Sequence, residues 1–385
     1  MLALGSFGAV QGHAYLFIEI LWLAGLAVFV VRETLKGRRL SAVAVAYIAI
    51  SAVAILVDYK VALGILAAGW GWLATEKFPR KTLSFLRFLI VVGVLEAVLG
   101  LIQYFVAPGW IFGYQNTFYA SSGTLINRNH FAGLLEMIVP ATVGFAFAAI
   151  VRGRDTARGY FYLFLGAFIS IAIVFSTSRM GLFSCLLTLL FLGAALRLKS
   201  ANRSGTAVSL AIFGLVVAGA LWIGVDVIAQ RFSQLSGESA LLQEGRPDVY
   251  RDTFRMITSH PFGIGLERYR DVFRRYQTFR PDLLMDHAHN DYLETAAEWG
   301  VLPAVAFWVL IFVIFVRAFR SFLRTQSVER TTILLASMGA IFSILLHSLT
   351  DFNLQIPSNA MLFFMFVGIA AQASSSKPFP AAENS

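Results

Sequence analysis

Long apolar runs alternate with short polar connectors along almost the whole chain, and one polar stretch, residues 230–300, interrupts the pattern. The runs fall near 14–31, 41–57, 61–74, 83–107, 129–150, 160–176, 180–196, 207–229, 301–316, 331–348 and 358–373. A helix crossing lipid needs roughly 20 apolar residues, and only helices and closed barrels satisfy their own backbone there. These runs are too long for barrel strands, so they predict an all-α integral membrane protein with about 11 (10–12) transmembrane helices. The run at 61–74 is short for a span and is expected to be re-entrant or extended by its flanks. The chain divides into an N-terminal transmembrane bundle (1–229), a large, partly helical loop or cap (230–300), C-terminal transmembrane helices (301–373) and a disordered tail (374–385).

Charge gives the runs an orientation. Alternate connectors at 32–40, 75–82, 151–159, 197–206 and 317–330 are rich in Lys and Arg, which places them in the cytoplasm. The others, including 108–128, Thr177 to Arg179, 230–300 and 349–357, then face outward, with the N-terminus outside and the C-terminus inside. The large outer segment differs in kind from the inner connectors: its nine Arg face eleven Asp and Glu, so it is balanced rather than basic. Within it, Pro247 opens a helix whose apolar side is expected to carry Val249, Phe254 and Ile257. His260-Pro261-Phe262-Gly263-Ile264-Gly265 breaks that helix, and 266–279 reads as helical again, with Tyr269, Val272, Phe273 and Tyr276 in register.

Composition agrees with this picture and removes two alternatives. With 58% hydrophobic and 14% charged residues and a mean hydropathy of +0.71, the chain is not a soluble domain. The net charge of +9 sits mostly in short connectors, where topology explains it, so no nucleic-acid partner is expected. The single cysteine, Cys185, lies in an apolar run, and no intrachain disulfide can form.

Candidate chemistry gathers at the outward ends of the runs. Arg179, in Ser176-Thr177-Ser178-Arg179-Met180-Gly181, sits at a tight outer junction where the positive-inside rule gives it no reason to be. It either snorkels or pairs with a cap acid, or its planar fork holds an anion such as phosphate. Arg246, in Gly245-Arg246-Pro247, joins it if the helix starting near Pro247 adds its positive end to one phosphate site. His287-Ala288-His289-Asn290 offers a general base near neutral pH, with His289 preferred and His287 as the alternative. Metal chelation by both histidines, with Asp286, Asp291 and Glu294 nearby, is disfavoured by the one-residue spacing, which sends the two rings to opposite sides of regular structure. Asn127-Arg128-Asn129-His130 either caps the following helix or lines a polar site at its outer end, with Arg128, Asn129 and His130 as lining residues. Glu19, Glu96, Glu136, Asp226 and His347 are costly in lipid and are expected to face the bundle interior. Asp351-Phe352-Asn353-Leu354-Gln355 is expected to complete a polar rim. Arg268, Arg270, Arg274, Arg275 and Arg280 either hold anionic sugars or form an acid-paired solvated face.

In this order, Asn127-Arg128-Asn129-His130-Phe131-Ala132, Ser178-Arg179, Gly245-Arg246, His260-Pro261-Phe262-Gly263-Ile264-Gly265, His287-Ala288-His289-Asn290-Asp291-Tyr292-Leu293 and Glu298-Trp299-Gly300 resemble the O-antigen ligase-like family of bacterial membrane glycosyltransferases. The resemblance implies a C-type glycosyltransferase architecture in the bacterial cytoplasmic (inner) membrane, with its site facing the periplasm. It implies transfer of a glycan from undecaprenyl diphosphate to an acceptor hydroxyl on a lipid core or saccharide, with inversion and with no metal or cofactor. By the same resemblance, Arg179 and Arg246 grip the diphosphate, His289 is catalytic, and Arg128, Asn129, His130 and Asn290 contact substrate. A ligase is the leading expectation, with a repeat-unit polymerase, a protein O-oligosaccharyltransferase and a non-enzymatic lipid or sugar transporter as the alternatives. The family commonly has about twelve spans, and Glu298-Trp299-Gly300-Val301-Leu302-Pro303 departs from relatives that carry a second Gly there.

Overall fold

The computed structural model describes residues 59–108, 110–111, 114–115, 120–151, 155–199, 214 and 245–375. The apolar runs at 14–31, 41–57 and 207–229, with Glu19 and Asp226, lie outside the described residues, as does the part of the cap before residue 245. The other eight runs are all helices: α1 (Tyr59–Lys77), α2 (Pro79–Phe105), α3 (Arg128–Val151), α4 (Thr156–Phe175), α5 (Arg179–Lys199), α9 (Val301–Arg324), α10 (Val328–His347) and α11 (Pro357–Ala373). Six of these, α2 to α5 with α9 and α10, are long and apolar enough to cross a membrane. The 17-residue α11 is a shorter apolar helix. The short run at 61–74 is extended at both ends into the 19-residue α1, which packs along α11. Among the described residues the only strands form a small antiparallel ribbon, β1 (Trp110–Ile111) with β2 (Tyr114–Gln115), Trp110 opposite Gln115.

Local chemistry sets the helix ends. Proline occupies the first turn of α2 and of α11, where its missing N–H costs nothing. Asp155 caps α4 by accepting from Arg158 N, and Ser327 caps α10 by accepting from Arg330 N. Helix α3 is the axis of the bundle, buried along nearly its whole length against α2, α4, α5 and α10, whereas only 17% of the apolar window of α9 is buried. Pro140 lies inside α3, packed against Gly339 of α10, and cannot donate to the carbonyl of Glu136 one turn earlier.

The buried acids of the bundle each have a partner. Glu96 takes the backbone and hydroxyl of Thr124 at 2.9 and 2.7 Å, so it anchors the loop before α3 rather than a neighbouring helix. Gln103, one α-helical face further along α2, holds the same loop through the N–H and the carbonyl of Gly123 at 2.8 and 2.7 Å. Glu136 of α3 meets His347 Nδ1 of α10 at 2.9 Å and also accepts from the Ser184 hydroxyl of α5, tying three helices together. Removing one partner leaves an uncompensated polar group in the bundle. Glu136→Ala is therefore expected to cost about 3–5 kcal/mol. The double variant Glu136→Leu/His347→Leu should recover most of that loss, as read by thermal unfolding in detergent.

The cap is built around its own small core of Val249, Met256, Ile257, Tyr269, Phe273 and Met285. Helix α6 (Arg246–Ser259) starts where Pro247 predicts, and Val249 and Ile257 are buried, but Phe254 is 60% exposed; Thr253 and Met256 take the inner face instead. The second helical stretch is shorter than its periodicity suggests: only α7 (Tyr269–Phe273) forms. The buried Asp252 captures the backbone and hydroxyl of Thr278 at 2.8 and 2.9 Å, and the Gln277 amide binds the carbonyls of Phe279, Arg280 and Leu283. Those bonds pull the chain into turns where apolar spacing alone would continue a helix. Helix α8 (Asp291–Trp299) follows, and its end docks on the 260–265 loop through Ile264 N to Ala297 O and Val301 N to Pro261 O. Gly263 and Gly300 face each other there with φ of 91° and 89°, and a Cβ on either would strike the backbone of the other's segment.

Candidate active site

Three helices begin at one place. First-turn residues of α3, α5 and α6 (Asn129, Arg179 and Arg246) line a single pocket of about 400 Å³, together with Thr177, Thr350 and Asp351. Asn127 Oδ1 and Ser178 Oγ cap the first turns of α3 and α5 by accepting from Asn129 N and Gly181 N, and the positive dipole ends of all three helices lie beside that space. Around Arg179 the chain turns sharply: Thr177 has φ 56°, Ser176 Oγ accepts from Ser178 N at 3.2 Å, and Ser178 Oγ accepts from Gly181 N at 3.2 Å. Arg128 stands beside the pocket within electrostatic reach of Arg179 and Arg246, and donates to Thr177 Oγ1 at 2.7 Å. Like-charged guanidinium groups gathered by the fold make a site for an anion with several oxygens.

Asp351, in the connector between α10 and α11, links the pocket to the histidines. Its carboxylate lies 3.8 Å from His289 Nδ1 and 3.7 Å from His130 Nε2. Both separations exceed hydrogen-bond length, so the attraction is one of charge and dipole. Burial pushes the Asp351 carboxyl up, but the two imidazoles outweigh it and hold the group well below the usual carboxylate range. Phe352 is the spacer around which the rings are arranged: His287 stacks on it at 4.2 Å, while His289 and His130 meet it edge-on at 4.8 and 4.7 Å. Regular structure would send His287 and His289 to opposite sides. The left-handed backbone of His289, φ 49°, bends the chain so that both rings reach Phe352.

The remaining residues of the motif hold this arrangement. His287 Nδ1 is 2.6 Å from Glu294 Oε1, and Glu294 Oε2 also accepts from Ala288 N at 2.8 Å. Asn290 Oδ1 caps α8 by accepting from Leu293 N at 3.0 Å, and its amide donates to Leu349 O at 2.9 Å. The Tyr250 hydroxyl donates to His289 O at 3.0 Å, joining α6 to the histidine loop. Asn359 donates to His130 O and to Asn353 Oδ1, both at 2.8 Å, which pins the 351–359 connector on the start of α3. The residues once grouped as a metal alternative are divided among separate partners: Asp286 with Arg270, His287 with Glu294, His289 with Asp351, and Asp291 with Ser348. Among the described residues no three His, Cys, Asp or Glu side chains form a metal-binding group. In the cap, Arg270 and Arg280 pair with Asp286 and Asp282 at 3.2 and 3.1 Å on an exposed face, where such pairs contribute little.

The structure thus brings Arg179, Arg246 and Asn129 to one pocket, with Arg128 beside it, and sets His130 and His289 against Asp351 on its wall. Asn290 is occupied in capping and in holding Leu349. Sequence reasoning placed Asp351 only on a rim and gave Tyr250 and Gln103 no role; for Asp351 the signal present was an acid in an outward connector.

Asp291 carries a separate prediction. It is buried, accepts from Ser348 Oγ at 2.7 Å and from Leu354 N at 3.3 Å, and its Oδ1 has no hydrogen-bond partner. Burial pushes its carboxyl well above the ordinary range, with Glu294 adding to the push and Ser348 opposing it. A raised folded pKa favours the neutral acid. Its stabilising effect is complete below the unfolded value of about 3.9 and is lost as pH rises through the folded value. Asp291→Asn should remove that dependence, so its thermal midpoint relative to wild type should improve as pH is raised from about 4 toward neutrality and above.

A bundle of membrane-length apolar helices, closed at one end by a polar cap over an arginine-lined pocket, is the architecture of a multi-pass membrane protein with an anion-type site. Residues 162–309 match the family model described as O-Antigen ligase. The matched stretch contains Arg179, Arg246, His287 and His289; Arg128, His130 and Asp351 lie outside it. A comparison with curated proteins gave no match.

Proposed function

We propose that the protein transfers a glycan from an undecaprenyl-diphosphate carrier to an acceptor hydroxyl, with inversion, on the outer face of the bacterial inner membrane. The observation that carries this reading is the meeting of Arg179 and Arg246, each at a helix start, in one pocket whose wall includes Asp351 beside His289. As the sugar C1 to oxygen bond breaks, negative charge gathers on the diphosphate, and two guanidinium groups with three helix N-termini stabilise it where it develops. The acceptor oxygen attacks C1 from the opposite face, and its proton passes to the His289 imidazole. Asp351 steadies the resulting imidazolium, and the diphosphate leaves with the bonding electron pair. No step in this sequence is assigned to a metal. The outward orientation is supported by the position of the basic connectors: those around Arg158 and from Arg317 to Arg330 lie at the end of the bundle away from the pocket. On that orientation the cap is periplasmic, and an eleven-span count with the N-terminus outside fits the alternation.

A second reading concerns the base alone. The 2.6 Å contact of His287 with Glu294 is the tighter acid–imidazole pair and favours His287 for the proton transfer. The function itself is tested by reconstituting the protein with an undecaprenyl-diphosphate-linked glycan and separating products by mass. Transfer of the whole glycan to a lipid core or saccharide supports the ligase reading. Growth of the donor by one repeat identifies a polymerase, a glycosylated protein identifies an oligosaccharyltransferase, and movement of unchanged donor across the bilayer identifies a transporter.

A further inference from the structure

A second pocket lies at the opposite end of the bundle from Arg179 and Arg246. It has a volume of about 370 Å³ and is formed where the end of α9, the start of α10 and the end of α11 meet. Four arginines line it, Arg317, Arg320, Arg324 and Arg330, with Ser374 and Ser375 opposite, and no carboxylate is among its lining residues. The positive-inside rule accounts for basic residues in this connector, but it does not require them to converge on one cavity with the serines that follow α11.

Arg317, Arg320 and Arg324 stand at i, i+3 and i+7 on α9 and share one face. All three are exposed, and they make no hydrogen bond or ion pair with the described residues. They are not needed to cap the end of α9 either, because Lys199 Nζ donates to the carbonyls of Phe322 and Thr325. Removing those acceptors from competition leaves the guanidinium forks available for an external anion. The same helix carries an exposed apolar ridge, Val301, Val305, Val309 and Val313, at four-residue spacing, and the next position on that ridge is Arg317.

We propose that this pocket binds the phosphate headgroup of an acidic membrane phospholipid, with the acyl chains lying along the exposed ridge of α9. Guanidinium forks suit phosphate oxygens in geometry as well as charge, and the Ser375 hydroxyl suits the polar part of the headgroup, while Ser374 donates to the Ala371 carbonyl at 2.8 Å. The ridge argues for a lipid over free phosphate, since a free anion has no use for an apolar track leading into the site. The inference stands apart from the transferase reading, because no residue of the outer pocket takes part in it.

The test is retention of lipid by the full-length protein extracted from membranes and exchanged into nanodiscs, read by native mass spectrometry and by thermal shift. Phosphatidylglycerol, phosphatidylcholine and inorganic phosphate are supplied separately. Wild type should retain phosphatidylglycerol and gain thermal stability from it, with little response to phosphatidylcholine or phosphate. Arg317→Gln/Arg320→Gln/Arg324→Gln should weaken that retention by roughly fivefold per arginine removed. These side chains are exposed, so the variant should fold; if it does not, Arg320→Gln and Arg324→Gln are measured singly. Equal retention by wild type and variants, equal binding of phosphatidylcholine, or a full response to phosphate alone would overturn the proposal.

Discussion

Alanine at Arg246 or Arg179 is expected to lower glycan transfer by about 10²–10³-fold, measured as kcat with purified protein and lipid-diphosphate donor. Both arginines line the pocket from the first turn of a helix, so on the proposed mechanism each loss removes charge from the place assigned to the leaving group. Lysine at either position keeps the charge but not the planar fork, and should restore only part of the rate. Neither side chain belongs to the apolar clusters of the bundle or the cap, so thermal unfolding should shift little compared with Glu136→Ala. A variant that loses transfer and stability together would point to misfolding instead.

His289→Ala is expected to lower transfer by about 10²–10⁴-fold, the usual range for loss of a general base, with less effect on donor binding. Asp351→Asn removes the charge that faces both His289 and His130, and should therefore lower the rate of transfer. His287→Ala tests the alternative base. If it is the more damaging of the two and His289→Ala retains most activity, the proton goes to His287 and the Glu294 pair takes over the role assigned to Asp351. Tyr250→Phe offers a milder check on positioning, since it removes only the hydroxyl that holds the His289 carbonyl.

Much of this was legible before any coordinates. Eight of the apolar runs are helices because their length and composition leave few other solutions, and Pro247 marked the start of α6 because proline is tolerated in the first turn. The order of the polar motifs pointed to Arg179, Arg246 and the His-Ala-His-Asn segment, and the match over 162–309 agrees with the family those motifs resemble. What the one-dimensional pattern could not carry was tertiary. Asp351 meets His130 and His289 only because α3 and α8 begin where α10 ends, and the shared ring of Phe352 depends on a left-handed residue at His289 that side-chain alternation rules cannot foresee. The helix expected through Phe279 stops at Phe273 because a buried aspartate 26 residues earlier in the chain, Asp252, claims the backbone of Thr278. Glu96 was expected to face the interior, and does, but its partner is the loop residue Thr124.

The most direct measurement is equilibrium binding of undecaprenyl diphosphate and undecaprenyl monophosphate to wild type, Arg179→Ala and Arg246→Ala in nanodiscs. Wild type should prefer the diphosphate, and each substitution should cost at least about tenfold in its affinity while affecting the monophosphate less, as expected when two forks grip one diphosphate. Unchanged diphosphate affinity in both variants, or no preference for diphosphate in wild type, would contradict the account.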